Sequence, residues 1–423
     1  MKVFLDSIGC RLNQSEIEKL AAQFRAEGHQ IIANADLADL VVINTCAVTV
    51  AASADSRNKI RSAARSGKAK IVATGCYATI DPQAIASLPG VDSLIPNLEK
   101  DQLVAKVLGL EETELMEPGI RKPLPGAHRR TRAFIKVQDG CDNFCTFCIT
   151  RIARGANRSQ SEGEIFADID SALAGGVKEI VLSGVNLGAW GMDMEPQRSL
   201  AYLIERIVAK FSPPRIRFSS LEPWDINDEF LDILGLPGFC NHLHLPLQSG
   251  SDSVLKRMGR RSSTGDFESI VNKVRLRHPE ISLTTDVMVG FPGESEAEFK
   301  AGLDFVRRMS FAGGHVFSFS SRPGTAADDL PGHLQADIKK ARSAEMRALI
   351  MLSANDYRKK FIGKELSILW EKSTATKTGF SVSGLSDNFI RVQASSIKDL
   401  YNQITPVRIR QLNDLVLHAD QIF

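Results

Sequence analysis

Three thiols fall within eight residues at Cys141-Asp-Asn-Phe-Cys145-Thr-Phe-Cys148. On one short loop each thiolate can bind one iron of a [4Fe-4S] cluster, and the fourth iron is then left without a protein ligand, open to another molecule. The rival chemistry is a zinc knuckle. Structural zinc takes four ligands and typically pairs two short Cys-x-x-Cys elements; here there is a single triplet, with His128 as an available fourth ligand. A second set of thiols is dispersed along the chain: Cys10 in GCRLNQSE, Cys46 in INTCAVT and Cys76 in ATGCYA. Seven cysteines, an odd count in a chain of this size, argue against a disulfide framework and toward metal or redox chemistry. Cys240 belongs to neither set and reads as a buried structural thiol.

The elements that must position these thiols follow from the apolar pattern. MKVFLDSI, ADLVVINTC and AKIVATGC each read as a strand, and NQSEIEKLAAQFRAEG and AASADSRNKIRSAARSG as the helices after the first two. That alternation predicts an α/β domain, a small doubly wound parallel sheet over residues 1–115. Cys10, Cys46 and Cys76 each stand just past the C-terminal end of such a strand. Parallel strands present those ends along one edge, where open α/β sheets bind ligands, so three thiols distant in sequence should converge.

Residues 116–132, with Pro118, Pro123 and Pro125 and the basic cluster Arg121, Lys122, Arg129, Arg130 and Arg132, read as a linker. A second β/α series fills residues 133–361. AFIKVQ, EIVLSG, RIRFSS, HLHLPL, SLTTDVMV and GHVFSFS are its six predicted strands, too few for a closed eight-unit barrel, so an open partial one is expected, ending in a long helix from about Pro331 to Phe361. Residues 362–423 change to five short strand-like pieces, the pattern of a small β-barrel of the oligonucleotide-binding type.

Composition narrows the function. With 423 residues, 43% hydrophobic and 24% charged, the chain is neither a small binding module nor disordered. Nothing approaches the ~18 consecutive apolar residues of a membrane span, and the start lacks the apolar run of a secretory signal, so a cytoplasmic protein with no membrane partner is expected. A net charge of +2 gives no global signature of a nucleic-acid binder, so any such contact must be local.

The C-x3-C-x2-C triplet in the loop after the first strand of the partial barrel resembles the radical S-adenosylmethionine (SAM) superfamily. The resemblance implies that SAM chelates the open iron and that one electron cleaves it to methionine and a 5′-deoxyadenosyl radical, which takes hydrogen from an unactivated carbon. Beside such a centre, the regular placing of Cys10, Cys46 and Cys76 points to a second three-cysteine [4Fe-4S] site rather than three separate buried thiols. From GCRLNQSE to the C-terminal tail the chain is similar to the methylthiotransferases of that superfamily. QDGCDNFCTFCITRIARG, EIVLSGVNLGAWG, SSLEPWDI, HLHLPLQSGSDSVLKRMGRR, TTDVMVGFPGESEAEF and SFSSRPGTAA are further matching pieces.

That resemblance implies an N-terminal cluster domain, a central partial barrel and a C-terminal TRAM barrel. It implies replacement of C–H by C–SCH3, one SAM serving as methyl donor and another as radical source, with the sulfur carried at the second cluster. Subgroups differ after the first cysteine. Gly9-Cys10-Arg11-Leu12-Asn13-Gln14 is nearest the GCKVNQ-like pattern of enzymes acting on N6-threonylcarbamoyladenosine at position 37 of tRNA. Isopentenyladenosine in tRNA and a ribosomal-protein aspartate are the alternative substrates, and a non-catalytic iron-sulfur or zinc RNA-binding protein is the alternative class. Partners implied are the tRNA anticodon loop, an electron donor such as a flavodoxin or ferredoxin, and a sulfur source.

Other residues are candidates for SAM or substrate. Alternation in HLHLPLQ puts His242, His244, Pro246 and Gln248 on one face and Leu243, Leu245 and Leu247 on the other, directing His244 and Gln248 into the barrel. Asn186 follows the second barrel strand, where the superfamily places SAM. Glu222 and Asp286 lie near strand ends, where a carboxylate can hold a ribose or ammonium; a salt bridge or helix cap is their ordinary alternative. For RNA, residues 363–423 carry seven Lys+Arg against six Asp+Glu, leaving Trp370, Phe380 and Phe389 as stacking candidates unless they pack in the core. The linker cluster and Lys339, Lys340, Arg342, Arg358, Lys359 and Lys360 are phosphate-contact candidates.

Overall fold

Five strands, β1 (Lys2–Ser7), β2 (Gln30–Ile31), β3 (Leu40–Thr45), β4 (Lys70–Gly75) and β5 (Val91–Ile95), form a sheet in the order β2-β1-β3-β4-β5. Every pair in it is parallel. β3 is buried along its whole length, the continuous apolar run expected of a strand covered on both faces. Its alternate residues serve two cores. Leu40 and Val42, with Val3, Leu5 and Val72, pack on Ile17, Leu20 and Phe24 of α1 (Arg11–Ala26). Val41 and Ile43, with Ile71 and Ala73, pack on Ile60 and Ala63 of α2 (Val50–Ala64). In α1, Ile17, Leu20, Ala21 and Phe24 recur at the spacing of one helix face, which is why that helix docks where it does. The doubly wound expectation is met, and α3 (Cys76–Ile80) and α4 (Pro82–Ala86) complete the connection to β5.

The computed structural model describes residues 1–65, 67–116, 119–122, 124–125, 131–420 and 422. Pro118, Pro123, His128, Arg129 and Arg130 of the basic linker lie outside the described residues. The chain divides into two compact units: Met1–Asn143 with Cys148–Val177 and Leu182–Asn186, and Phe144–Phe147 with Lys178–Val181 and Leu187–Phe423. After α5 (Leu103–Leu108), the first unit adds β6 (Arg132–Lys136), β7 (Gln138–Asp139), α6 (Thr150–Arg154), β8 (Arg158–Ser159) and α7 (Glu162–Ala174). α7 opens on a capping box in which the Ser161 hydroxyl accepts from the Glu164 N–H and the Glu164 carboxylate accepts from the Ser161 N–H.

All six predicted barrel strands are present: β6, β9 (Glu179–Ser183), β10 (Ile216–Phe218), β11 (His242–His244), β12 (Ser282–Val289) and β13 (Gly313–Ser318). In the second unit, the Ile180 N–H of β9 bonds to the Arg215 carbonyl beside β10 at 2.9 Å. β11, β12 and β13 form a parallel sheet in sequence order. Between β10 and β11 the expected single series is interrupted: isolated bridges, Ile216 to Phe239 and Ser220 to His244, replace a continuous ladder. β11 is three residues long, and Pro246, which has no N–H to donate, stands just beyond it. Helices α8 (Leu200–Phe211), α9 (Asp228–Ile233), α10 (Asp252–Arg257), α11 (Thr264–Arg277) and α12 (Glu296–Met309) fall between strands, and the predicted long helix is α13 (Ala336–Lys359).

The last strands, β14 (Glu365–Thr376), β15 (Gly379–Ser386), β16 (Arg391–Ser396), β17 (Ile404–Asn413) and β18 (Val416–Ala419), close into a barrel in the order β14-β15-β16-β18-β17. Ile368, Trp370, Val382, Val392, Ile409 and Leu417 fill it. No helix among the described residues is long and apolar enough to cross a membrane.

Candidate active site

Cys10 follows β1, Cys46 follows β3 and Cys76 opens α3 after β4, so the predicted sheet edge carries all three thiols, none of them in a disulfide. Two glycines permit the approach. Gly9 has φ +96°, and a Cβ there would overlap the Cys46 side chain; Gly75 has φ +97°, and a Cβ there would overlap the Thr45 backbone and Asn44. Asn13 ties the first two strand ends together, donating from Nδ2 to the Ile8 carbonyl at 2.8 Å and the Thr45 carbonyl at 3.0 Å. The Cys46 N–H bonds to the Ser56 hydroxyl at 3.0 Å. Burial pushes the Cys46 thiol up to about 11, the nearby Cys10 and Cys76 thiols add to the rise, and Arg154 opposes it.

A buried charge cluster lies behind this edge. Arg154, 1% exposed, donates through Nη1 to Glu16 at 2.8 Å and Asp139 at 2.9 Å, and through Nη2 to Asn13 at 2.7 Å. Lys100 donates to Glu16 at 2.7 Å and to Asn44 at 3.2 Å, and Lys136 lies 3.3 Å from Asp139. Desolvation alone would raise the Glu16 pKa, but Arg154, Lys100 and Lys136 together hold it well below the usual carboxylate range. Sequence reading missed Glu16, Asn97, Lys100 and Arg154; their partners are remote along the chain, and no local pattern marks them.

Among the described residues no three His, Cys, Asp or Glu side chains are gathered tightly enough to grip a single metal ion. A [4Fe-4S] cube takes one thiolate per iron and spreads its ligands around itself. The donor set at the sheet edge fits that group: three free thiols, a buried amide N–H from Asn97 aimed at the Cys76 sulfur at 3.6 Å, and compensating buried cations.

The cysteines of the central triplet are half-buried, and none of them is in a disulfide. In the first unit, the Cys141 N–H bonds to the Gly155 carbonyl at 3.0 Å, and its sulfur accepts from the Asn143 N–H at 3.4 Å. In the second, Cys145 lies 3.7 Å from Nη1 of Arg260. Arg260 also donates to both Glu222 oxygens, at 3.1 and 2.5 Å, and to the Pro246 carbonyl at 3.0 Å, while its guanidinium lies over Trp224. Thr146 is held by bonds to the Met258 and Arg257 carbonyls at 2.9 and 3.0 Å. His128, the fourth ligand of the zinc alternative, lies outside the described residues.

Glu222 is thus engaged by Arg260. Asn186 is buried; its N–H bonds to Gln138 at 2.8 Å, and its Oδ1 has no hydrogen-bond partner. His244 lies 2.9 Å from the Thr284 hydroxyl through Nδ1 and 3.3 Å from Asp286 through Nε2. The leucines of the HLHLPLQ segment are buried as alternation requires, but Gln248 has φ +67°, so strand alternation does not carry through to it. Cys240 is buried 3.8 Å from Glu179, as a structural thiol.

Several RNA-contact expectations are corrected. Trp370 is core, its Nε1–H bonded to Thr405 at 2.7 Å, and Phe389 is sandwiched between the His242 ring and the Arg217 guanidinium, each 4.7 Å away. Phe380 packs against the barrel core. Arg342 is buried on Glu294 at 2.8 Å, and Arg121 donates to the Phe134 and Ser15 carbonyls at 3.2 and 3.1 Å. Both hold the fold and are withdrawn from a phosphate surface; Lys340 and Lys360 remain exposed.

Residues 2–96 match Uncharacterized protein family UPF0004, and residues 135–306 match the Radical SAM superfamily. The threonylcarbamoyladenosine tRNA methylthiotransferase MtaB of Thermotoga maritima is 39% identical over 87% of this chain and 86% of its own, and that of Bacillus subtilis 34% identical over 96% and 93%. A tRNA-2-methylthio-N(6)-dimethylallyladenosine synthase of Cereibacter sphaeroides is 32% identical over 96% and 95%. In fold, the chain is similar to the radical SAM methyltransferase TsrM of Kitasatospora setae, with TM-score 0.59, 15% identity, and coverage of 77% of this chain and 75% of that one. Identity of this extent, over both the UPF0004 and the radical SAM regions, places the chain in the radical SAM tRNA methylthiotransferase family.

Proposed function

We infer that this protein is a radical SAM enzyme that methylthiolates C2 of N6-threonylcarbamoyladenosine at position 37 of tRNA. The observation that carries this reading is the run of MtaB relatives, 34–39% identical over 87–96% of the chain. The isopentenyl-type relative at 32% stands second to them. SAM and [4Fe-4S] clusters are the cofactors, and bound together they supply radical hydrogen abstraction and sulfur transfer.

The protein's own residues divide that task. Cys141, Cys145 and Cys148 would hold the cluster that meets SAM, with Arg260 fixing the neighbourhood of Cys145. Cys10, Cys46 and Cys76 would hold the second cluster, which would supply the sulfur-transfer chemistry. Asn186, with its unpartnered Oδ1, and His244, Gln248, Glu222 and Asp286 in the central region are the proposed SAM- or substrate-side residues. The domain limits proposed are 1–115 for the cluster domain, 116–132 for the linker, 133–361 for the radical SAM region and 362–423 for a TRAM-like barrel. An anticodon loop suits such an enzyme, because unstacked bases can be splayed into a pocket. A cytoplasmic location, a low-potential electron donor such as a flavodoxin or ferredoxin, and a sulfur source complete the proposal.

The test is nucleoside mass spectrometry of threonylcarbamoylated tRNA incubated anaerobically with reconstituted enzyme, SAM, sulfide and a reductant. A product heavier by one methylthio group in place of hydrogen is expected. Formation of 5′-deoxyadenosine with that tRNA unchanged, and product instead on isopentenylated tRNA, would move the substrate assignment to the second subgroup.

A further inference from the structure

The Asn97 side chain sits at the start of a 3-10 turn (Asn97–Gln102) and is 6% exposed. Both hydrogens of its amide are directed: one to the Cys76 sulfur at 3.6 Å, the other to the Ala153 carbonyl of α6 at 2.8 Å. Its backbone N–H bonds to the Thr79 hydroxyl at 2.9 Å, and that hydroxyl donates to the Gly75 carbonyl at 3.0 Å, one residue before Cys76. The side-chain amide is therefore held by two bonds and its backbone by a third, all close to this thiol. The opposite atom, Oδ1, is buried without a hydrogen-bond partner. An orphaned buried acceptor is costly, and flipping the amide would trade it for a repulsive oxygen-sulfur contact. The orientation thus turns a donor, not an oxygen, toward the sulfur.

Arg154 follows Ala153 and brings the buried cations against Glu16 and Asp139: Arg154, Lys100 and Lys136 against two carboxylates, a surplus of one positive charge. We propose that Asn97 is a positioning residue for the second cluster: its amide N–H holds the Cys76 sulfur in place, and that hydrogen bond gives the cluster at that edge a less negative reduction potential than the thiols alone would set. Hydrogen bonds to sulfur and local charge are known levers on such potentials. The inference rests on reading Cys10, Cys46 and Cys76 as ligands of that cluster.

The experiment uses the full-length chain carrying Cys141→Ala, Cys145→Ala and Cys148→Ala, so that only the second cluster remains. Iron and sulfide are counted, and the midpoint potential is measured by redox titration followed by electron paramagnetic resonance. About four irons per chain are expected in this parent; none at all would overturn the ligand reading and this inference with it. In that background Asn97→Leu, which removes the donor, should move the potential to more negative values. Asn97→Asp, nearly isosteric and able to fold if the leucine variant does not, should move it further the same way by placing a carboxylate beside the sulfur. A normally loaded cluster with an unchanged potential in Asn97→Asp would overturn the role of Asn97 and leave the ligand reading intact.

Discussion

Arg154 grips Glu16 with both terminal guanidinium nitrogens, Nη1 to Oε1 at 2.8 Å and Nη2 to Oε2 at 3.3 Å, across 138 residues of sequence and away from water. One partner lies on the helix that begins after Cys10 and the other on the short helix that begins after Cys148. Breaking such a pair from one side leaves a buried carboxylate uncompensated. Arg154→Met should therefore destabilise the first unit by about 3–5 kcal/mol, more than an exposed pair would. Denaturant unfolding of the metal-free chain, followed by a probe in that unit, checks this; a change within about 0.5 kcal/mol would refute the account.

The same cluster fixes a pH window. The folded-state pKa of Glu16 is depressed, so its stabilisation is present above its ordinary value near 4.5 and is lost only as pH falls through the lower folded value. The stability difference between the parent and Glu16→Gln should stay flat from pH 8 to 5 and shrink in more acidic solution. A difference already declining at pH 7 would mean that Glu16 is not held as an ion.

If the two thiol sets divide the chemistry, Cys141→Ala should abolish 5′-deoxyadenosine formation, and Cys10→Ala should spare it while abolishing methylthio transfer. Iron should fall from about eight per chain to about four in each. Equal loss of SAM cleavage in both variants would refute the division.

Gly9 gives a backbone route to the same question. At φ +96° a side chain is strained, and the added methyl would press on Cys46. Gly9→Ala should lose about four irons from the second site and keep SAM cleavage. Full iron content would show that the edge can relax around a methyl group.

At the other set, Arg260→Gln removes the donor near Cys145 and releases Glu222. Loss of a partner supporting metal ligands costs about 10–100-fold in affinity or activity, and a fall of that size is expected in SAM cleavage. Arg260→Lys keeps the charge but not the fork to Glu222 and should recover only part of it. Wild-type rates in both would remove Arg260 from the site.

These predictions separate what was legible from what was not. Cys10, Cys46 and Cys76 could be brought together on paper because each ends an apolar run, and parallel strands deliver their ends to one edge. The central triplet was legible from its spacing. Glu16 in NQSEIEKL reads as an exposed charge on a helix, and its burial appears only when Lys100 and Arg154 arrive from 84 and 138 residues away. Trp370 and Phe389 show the same limit: an aromatic in a strand pattern looks alike whether it faces a barrel core, a neighbouring histidine or a base. The shortness of β11 is not legible in the sequence, because periodicity is blind to which acceptor an N–H finds: the Leu247 N–H bonds to the Thr285 hydroxyl at 3.1 Å instead of extending the ladder.

Asp225 offers a test that can be made on the metal-free chain. Its carboxylate occupies the space that a Gly188 side chain would need, and Oδ2 has no hydrogen-bond partner. Burial, with the neighbouring Glu222 charge adding to it, pushes its pKa up to about 7. The sign follows from proton counting: above the unfolded value near 3.8, the native protein retains a proton that the unfolded chain has released, so this group subtracts stability increasingly up to about pH 7 and by a constant amount beyond. Asp225→Asn keeps the shape and cannot ionise. Its advantage over the parent should be near zero at pH 4 and grow to about 1–3 kcal/mol by pH 8. Unfolding midpoints measured in parallel across that range decide the matter, and a difference independent of pH would mean that Asp225 is already ionised in the fold.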